Sequence, residues 1–206
     1  MRPVKLTMTA YGPYAGTEIV DFREAIASGL FGIYGSTGSG KSTIFSAMMF
    51  ALFGKLSRAE QDPQSVRSDY AAPETLTQVE FIFEVCDKQY LIRRIPDQSR
   101  PKKSGDGETK ETHKAWIFDV SDIEVDDITE ANCGHIIMEK KVGLVQEVIN
   151  GLLGYGAEQF RQRSLTEHIM WLWDIFTVRK SLAANISDIL GHLWHLVSMN
   201  MIMISR

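Results

Sequence analysis

The chain has 206 residues, 44% of them hydrophobic and 23% charged, which fits one soluble globular domain with a sizeable core and excludes a disordered or fibrous protein. A net charge of −4 excludes a chain-wide basic surface for nucleic acid or anionic lipid, so any such contact has to come from local basic patches. The two cysteines, Cys86 and Cys133, stand far apart without zinc-ligand spacing, which argues against a disulfide framework or structural zinc; with no apolar run of signal-peptide or bilayer length, the expected compartment is the cytoplasm and no membrane contact is expected.

In chain order, residues 4–9 and 17–22 alternate apolar with polar side chains and flank the turn residues Tyr11-Gly12-Pro13-Tyr14, which predicts an opening hairpin. Leu30-Phe31-Gly32-Ile33-Tyr34 is a short apolar run of the kind that forms a strand buried on both faces. After Lys41, the residues Ile44, Ala47, Met48, Ala51 and Leu52 fall on one helix face, with Gly54 as the C-terminal stop. Residues 55–76 are polar and turn-rich. Thr77–Val85 and Tyr90–Ile95 read as a second hairpin closed by Asp87-Lys88, Arg100–Lys114 as a hydrophilic loop, and Ala115–Val120 as a strand. The acidic run Asp119–Glu130 reads as a solvated loop, and Val142, Val145, Ile149 and Leu152 mark a second amphipathic helix ended by Gly154 or Gly156.

The chemistry is concentrated in Gly35-Ser36-Thr37-Gly38-Ser39-Gly40-Lys41-Ser42, which fits G-x-x-x-x-G-K-[ST] without a mismatch. Glycines permit positive φ, so that successive backbone N–H groups turn inward around phosphate oxygens, and the following helix adds the positive end of its dipole. Lys41 is placed to reach the β- and γ-phosphates and the Ser42 hydroxyl to ligand Mg²⁺, which makes ATP and Mg²⁺ the expected cofactors; Thr43 completes the nucleotide-binding stretch without a role of its own. An apolar strand before the motif and an amphipathic helix after it supply the context the motif requires. No apolar strand ends in Asp-Glu, the pair that positions Mg²⁺ and water in many such ATPases; Asp119, at the end of Ala115–Asp119, is followed by Val120 and reads as an ordinary strand end.

The stretches KLTMTAYGPYAGTEIVDF, LFGIYGSTGSGKSTIFSAMMFALFG, SVRSDYAAPETLTQVEFIFEVCDKQYLIRRIPDQSRPKKSGDGETK and KKVGLVQEVINGLLGYGAEQFRQ resemble the N-terminal ATPase lobe of the SbcC family, the bacterial SMC-like ATPases of double-strand-break repair. The resemblance covers residues 1–163 almost continuously. It implies an α/β fold of the P-loop NTPase type: the N-terminal lobe of an ABC-type head, with an antiparallel β-lobe, truncated before the second half. The implied partners are the SbcD nuclease, a second SbcC head and double-stranded DNA. It also implies that Gly35, Gly38, Gly40, Lys41 and Ser42 take the phosphate and Mg²⁺ roles. Arg67, in SVRSD, stands where related heads carry a nucleotide- or DNA-responsive arginine; a loop arginine in solvent is the other reading of that position.

The resemblance stops after Phe160-Arg161-Gln162. Relatives continue into an apolar strand and a Pro-Gln-Gly, whereas Arg163-Ser164-Leu165-Thr166 follows here, and Gln162 belongs to the FRQ element rather than to the missing glutamine. Residues 164–206 lack the heptads of a coiled-coil start, so they are expected to be an atypical tail from a truncation or frame change, with a local helix over Ser181–Val197. The expected function is the ATP-binding part of an SbcC subunit in DNA end processing. Its rivals are a non-catalytic fragment that binds nucleotide weakly, for lack of the Asp-Glu strand, the signature and the glutamine, and a transporter ATPase, which the RPKKSGDG loop disfavours.

Overall fold

The computed structural model describes residues 1–28, 32–34, 39–56, 66–102, 106–161 and 201–203. They fall into two compact units, Met1–Arg23 with Ser42–Ala157, and Glu24–Lys41 with Glu158–Arg206.

The first unit is built on a six-stranded sheet of β1 (Arg2–Thr9), β2 (Thr17–Asp21), β4 (Gln78–Val85), β5 (Lys88–Ile95), β8 (Lys114–Asp119) and β9 (His135–Glu139), in the order β2-β1-β4-β5-β8-β9 with every neighbouring pair antiparallel. The alternation of β1 is what splits its side chains between the two faces. Leu6 and Met8 are paired in register with Phe81 and Val79, while a bulge between Pro3 and Lys5 turns Val4 toward the other side. There Val4 joins Ile82, Leu91, Phe118, Val120 and Val125 in a core cluster, against which Trp116, Ile128 and Cys133 pack.

The opposite face carries Phe81, Phe83, Ile92 and Ile117, each fully buried, and meets helix α1 (Lys41–Phe53). The ring of Phe50 lies 6.0 Å from His113 and 6.1 Å from Tyr11. Helix α1 follows the expected apolar face, but burial extends almost all round its second half, where Ala47, Met48, Met49, Phe50, Ala51, Leu52 and Phe53 are all buried. Gly54 ends it at φ +65°, its N–H donating to the Phe50 carbonyl at 2.8 Å. The second helix, α2 (Val142–Leu153), buries Val145 and Ile149 and ends on Gly154 in the left-handed conformation, as its sequence predicts.

Three expectations are corrected. The β4–β5 turn is centred on Cys86-Asp87, not Asp87-Lys88, because Lys88 already pairs with Val85; both Cys86 and Asp87 take positive φ, +50° and +62°. Within Arg100–Lys114 there is a hairpin of β6 (Gln98–Pro101) and β7 (Glu108–Glu111), held by Lys102 N–H on the Gly107 carbonyl and by Arg100 and Lys114 both paired to Glu111. The acidic run is not only solvated: it winds through a 3₁₀ turn, Val125–Asp127, that buries Val125 and sets Asp126 against Arg23. Strand β9 has no counterpart among the sequence expectations.

In the second unit, β3 (Gly32–Tyr34) forms a parallel pair with β10 (Met201–Met203), Ile33 opposite Ile202. The strand β10 lies in the tail, where no strand is expected from the sequence; Leu30, Phe31 and the helix expected over Ser181–Val197 lie outside the described residues.

A two-residue hairpin turn with positive φ at both positions suits Asn-Gly, and a side chain held in that region costs about 1–2 kcal/mol. The double substitution Cys86→Asn with Asp87→Gly is therefore expected to raise stability by about 1 kcal/mol in urea unfolding. No gain in the midpoint would show that the turn is already relaxed.

Candidate functional site

The phosphate-loop motif runs off β3 and into α1. Of its residues, Gly35, Ser36, Thr37 and Gly38 lie outside the described residues, while Ser39, Gly40, Lys41, Ser42 and Thr43 are within them. Gly40 has φ +90°, a conformation that side chains rarely adopt, immediately before the helix. Lys41 is the first residue of α1, so Lys41, Ser42 and Thr43 form its first turn. No acidic residue stands in that turn to neutralise the positive end of the dipole. Ser42 is exposed. A positive-φ glycine, a lysine and a hydroxyl at a helix N-terminus are the groups a polyphosphate with Mg²⁺ requires, and the residues present fit that group.

The sheet unit grips α1 at three levels. At the first turn, the backbone of Gly12 comes so close that a Cβ built there would meet Thr43 Cγ2 at 3.0 Å. One turn further, the Tyr11 hydroxyl lies 3.4 Å from Ser46 Oγ, and burial raises the phenol well above its ordinary pKa. At the C-terminus, the guanidinium of Arg94, 0% exposed, donates from Nε to the Ala51 carbonyl at 2.9 Å and from Nη2 to the Leu52 carbonyl at 3.2 Å. These are two of the carbonyls that a helix end leaves without an intrahelical partner. Burial lowers the Arg94 pKa to about 10, which still leaves it a cation at neutral pH. Its Nη1 lies 3.3 Å from His113 Nε2. Burial, and then the charge of Arg94, lower the His113 pKa to about 4, so the imidazole is neutral and accepts from the guanidinium.

The loop that carries Tyr11 and Gly12 is itself braced. Gly12 N–H donates to the Val66 carbonyl at 2.8 Å, and Thr77 Oγ1 and Ser68 N–H both donate to the Ala10 carbonyl, at 3.0 and 2.9 Å. Arg67 sits in this brace, half-buried and not a solvated loop residue. It donates from Nη1 to the Thr75 carbonyl at 2.5 Å, to Gln98 Oε1 at 3.3 Å and to Thr77 Oγ1 at 3.5 Å, and from Nη2 to the Ala72 carbonyl at 2.8 Å. Asp119 is spent locally: its carboxylate accepts from Ser121 N–H at 3.0 Å and Ser121 Oγ at 2.6 Å, the arrangement of an ordinary strand end. Arg94, His113 and Gln98 are not singled out by the sequence. The one available signal is that Arg94 continues the spacing of Tyr90 and Ile92, which puts it on an inward face. Among the described residues, no group of three or more His, Cys, Asp or Glu could hold a metal, and no helix is long and apolar enough to cross a membrane.

A family model described as an AAA domain matches residues 5–183, and the chain belongs to that family, which bears out the α/β P-loop fold class. The SbcC-type resemblance is also borne out. The SbcC subunit of the SbcCD nuclease from Vibrio cholerae serotype O1 is 40% identical over 162 residues, and the protein of the same name from Lactococcus lactis is 41% identical over 165. Each match covers 79% of this chain and 15% of the relative, so the chain spans about 15% of the length of those relatives. Among solved structures, the SMC head domain from Thermotoga maritima has a TM-score of 0.41 at 17% identity, covering 72% of this chain and 42% of that one, too remote a likeness to place any residue.

The depressed His113 pKa fixes a direction for stability against pH. The unfolded chain takes up a proton near pH 6.5 and the folded chain only near 4, so stability is intact above 6.5 and falls as the pH drops through that window. Allowing for partial exposure of the ring, roughly 1–2 kcal/mol is lost across it. His113→Gln keeps an acceptor for Arg94 and removes the titration. Urea unfolding at pH 7 and pH 4.5 is expected to show a smaller difference for His113→Gln than for the parent; equal differences would place the titrating group elsewhere.

Proposed function

We propose that the chain is the ATP-binding N-terminal part of an SbcC-type subunit, acting in DNA double-strand-break processing with a nuclease partner. The observation that carries this is the GSTGSGKS motif with Lys41 and Ser42 in the first turn of a helix gripped along its length by the sheet unit. In this reading the backbone of residues 35–40 and the Lys41 ammonium hold the phosphates, and Ser42 Oγ holds Mg²⁺. Bound Mg²⁺ supplies charge neutralisation at the β- and γ-phosphates. The name of the relatives, a subunit of the SbcCD nuclease, supports an SbcD-type nuclease as partner; a second SbcC head and double-stranded DNA are the partners the family resemblance implies. For Arg67 we propose that any response to nucleotide or DNA passes through its bonds to Ala72, Thr75 and Gln98, which tie the segment after it to the Gly12 loop beside Thr43.

Lys41→Ala is expected to weaken Mg-ATP binding at least tenfold in calorimetry, since it removes the cation of the motif while leaving the helix a good former. Equal affinity of parent and folded variant removes the nucleotide assignment.

A second reading, binding without turnover, is favoured by Asp119, whose carboxylate is committed to Ser121. Phosphoryl transfer needs a positioned water and charge stabilisation around the γ-phosphate. The isolated chain is therefore expected to hydrolyse ATP negligibly in a phosphate-release assay. Turnover that Lys41→Ala abolishes would overturn this reading and leave the binding assignment standing.

A further inference from the structure

We propose that Arg94, remote in sequence from the phosphate-loop motif, is a positioning residue for the Ser42 and Thr43 end of that motif: its buried guanidinium fixes where along the sheet α1 lies, and so where the first turn with Ser42 and Thr43 is held. The functional half of this inference rests on the nucleotide reading above; the mechanical half does not.

A helix whose second half is buried nearly all round is held strongly by apolar contact but not at one height, because hydrophobic contact is non-directional. The buried surface of α1 includes Ala47, Ala51, Met48 and Met49, small or adaptable side chains that resist sliding weakly. Hydrogen bonds set axial position, and those from Arg94 meet the helix at its end, along the axis. Nε takes Ala51 and Nη2 takes Leu52, successive carbonyls, with the planar fork matched to both. Arg94 is in turn held from behind. It sits in the central strand β5, its register partners are Val79 and Ala115, and Nη1 is backed by His113, whose backbone N–H donates to Asp97 Oδ1 at 3.0 Å. No carboxylate faces the guanidinium among its described partners, so its charge is directed to the negative end of the helix dipole.

Gly54 shows how closely the two are fitted. A Cβ at Gly54 would stand 2.9 Å from Arg94 Nη1 and 3.2 Å from His113 Cε1. The residue that ends the helix thus leaves the space the guanidinium fills. A helix of 13 residues is rigid over its length, about 20 Å at 1.5 Å per residue, so a shift at the Arg94 end is carried to Ser42 and Thr43 in the first turn. Sub-ångström placement at a phosphate site matters to affinity.

The test compares Arg94→Met, similar in length and uncharged, with Arg94→Lys, a single point cation, and with Leu91→Ala, a control in the core cluster on the opposite face of the sheet. Two readings are taken on folded protein: the backbone amide resonances of Ser42–Ser46, and calorimetric affinity for Mg-ATP. Arg94→Met is expected to move those resonances and weaken binding about tenfold, with Arg94→Lys intermediate, while Leu91→Ala lowers the melting temperature and leaves both readings at parent values. Unmoved Ser42–Ser46 resonances in both Arg94 variants overturn the inference whatever the affinity. Moved resonances with unchanged affinity overturn its functional half. If the parent itself binds no Mg-ATP, the nucleotide reading fails while the resonances still decide whether Arg94 sets the position of the helix.

Discussion

The guanidinium of Arg94 on the last carbonyls of α1 is the interaction around which the sheet unit is arranged. Burying a cation costs several kcal/mol, and this one has no carboxylate among its described partners. Two charge-assisted bonds, about 1.5–3 kcal/mol each, and a helix C-terminus, up to about 2, are of the size needed to offset that cost. The offset holds only while the surroundings keep their own states. Gly54 must have no side chain, because one would meet Nη1 at 2.9 Å. His113 must be neutral, because a second buried cation at 3.3 Å would be repelled. The stacking of Phe50 on that ring, nearly parallel at 18°, then joins the helix, the imidazole and the strand into one packed group.

What this arrangement achieves is a helix fixed at both ends by different physics. The C-terminus is held by charge and dipole, the first turn by contact between Thr43 and a glycine backbone, and the stretch between by the long Tyr11 to Ser46 hydrogen bond. The glycine loop is not rigid by itself; it takes its position from Val66, Thr77 and the Arg67 bonds behind it. A loop that must bring an N-terminal turn to one place is thus backed by a second loop, and that one by Gln98, which both accepts from Thr77 N–H at 2.8 Å and donates to the Thr77 carbonyl at 3.0 Å.

The elements legible in the sequence are those whose pattern is generated by one local period. The 3.6 spacing of Ile44, Ala47, Met48, Ala51 and Leu52, the alternation in β1 and β4, and Gly54 and Gly154 as stops all report local geometry. The phosphate-loop motif is legible for the same reason, since its chemistry is carried by consecutive residues. The turn at Cys86-Asp87 is misplaced by sequence reasoning because Asp and Lys are ordinary turn residues and Cys is not; only the pairing of Val85 with Lys88 decides the register. Strand β9 is hidden because Ile136-Ile137 do not alternate, and the structure shows why: a register shift there puts two residues of β9 against one step of β8. Arg94 is illegible because its partners, Ala51 and Leu52, are backbone carbonyls more than 40 positions away, which no side-chain pattern reports.

Three arginines each join segments distant in the chain, and their acceptors separate what they do. Arg23 holds Asp21 and Asp126 together with bonds of 2.6–3.1 Å, but all three side chains are at least 40% exposed, so water and salt compete for every contact. Arg67, half-buried, makes its two shortest bonds to backbone carbonyls, which no salt displaces, yet one edge of its site remains wet. Arg94 is wholly inside. Electrostatic strength rises along that series as the local dielectric falls, and so does the cost of losing a partner. The acidic run and Arg23 therefore trim the surface, Arg67 sets the loop that meets the first turn of α1, and Arg94 alone of the three bonds to that helix directly.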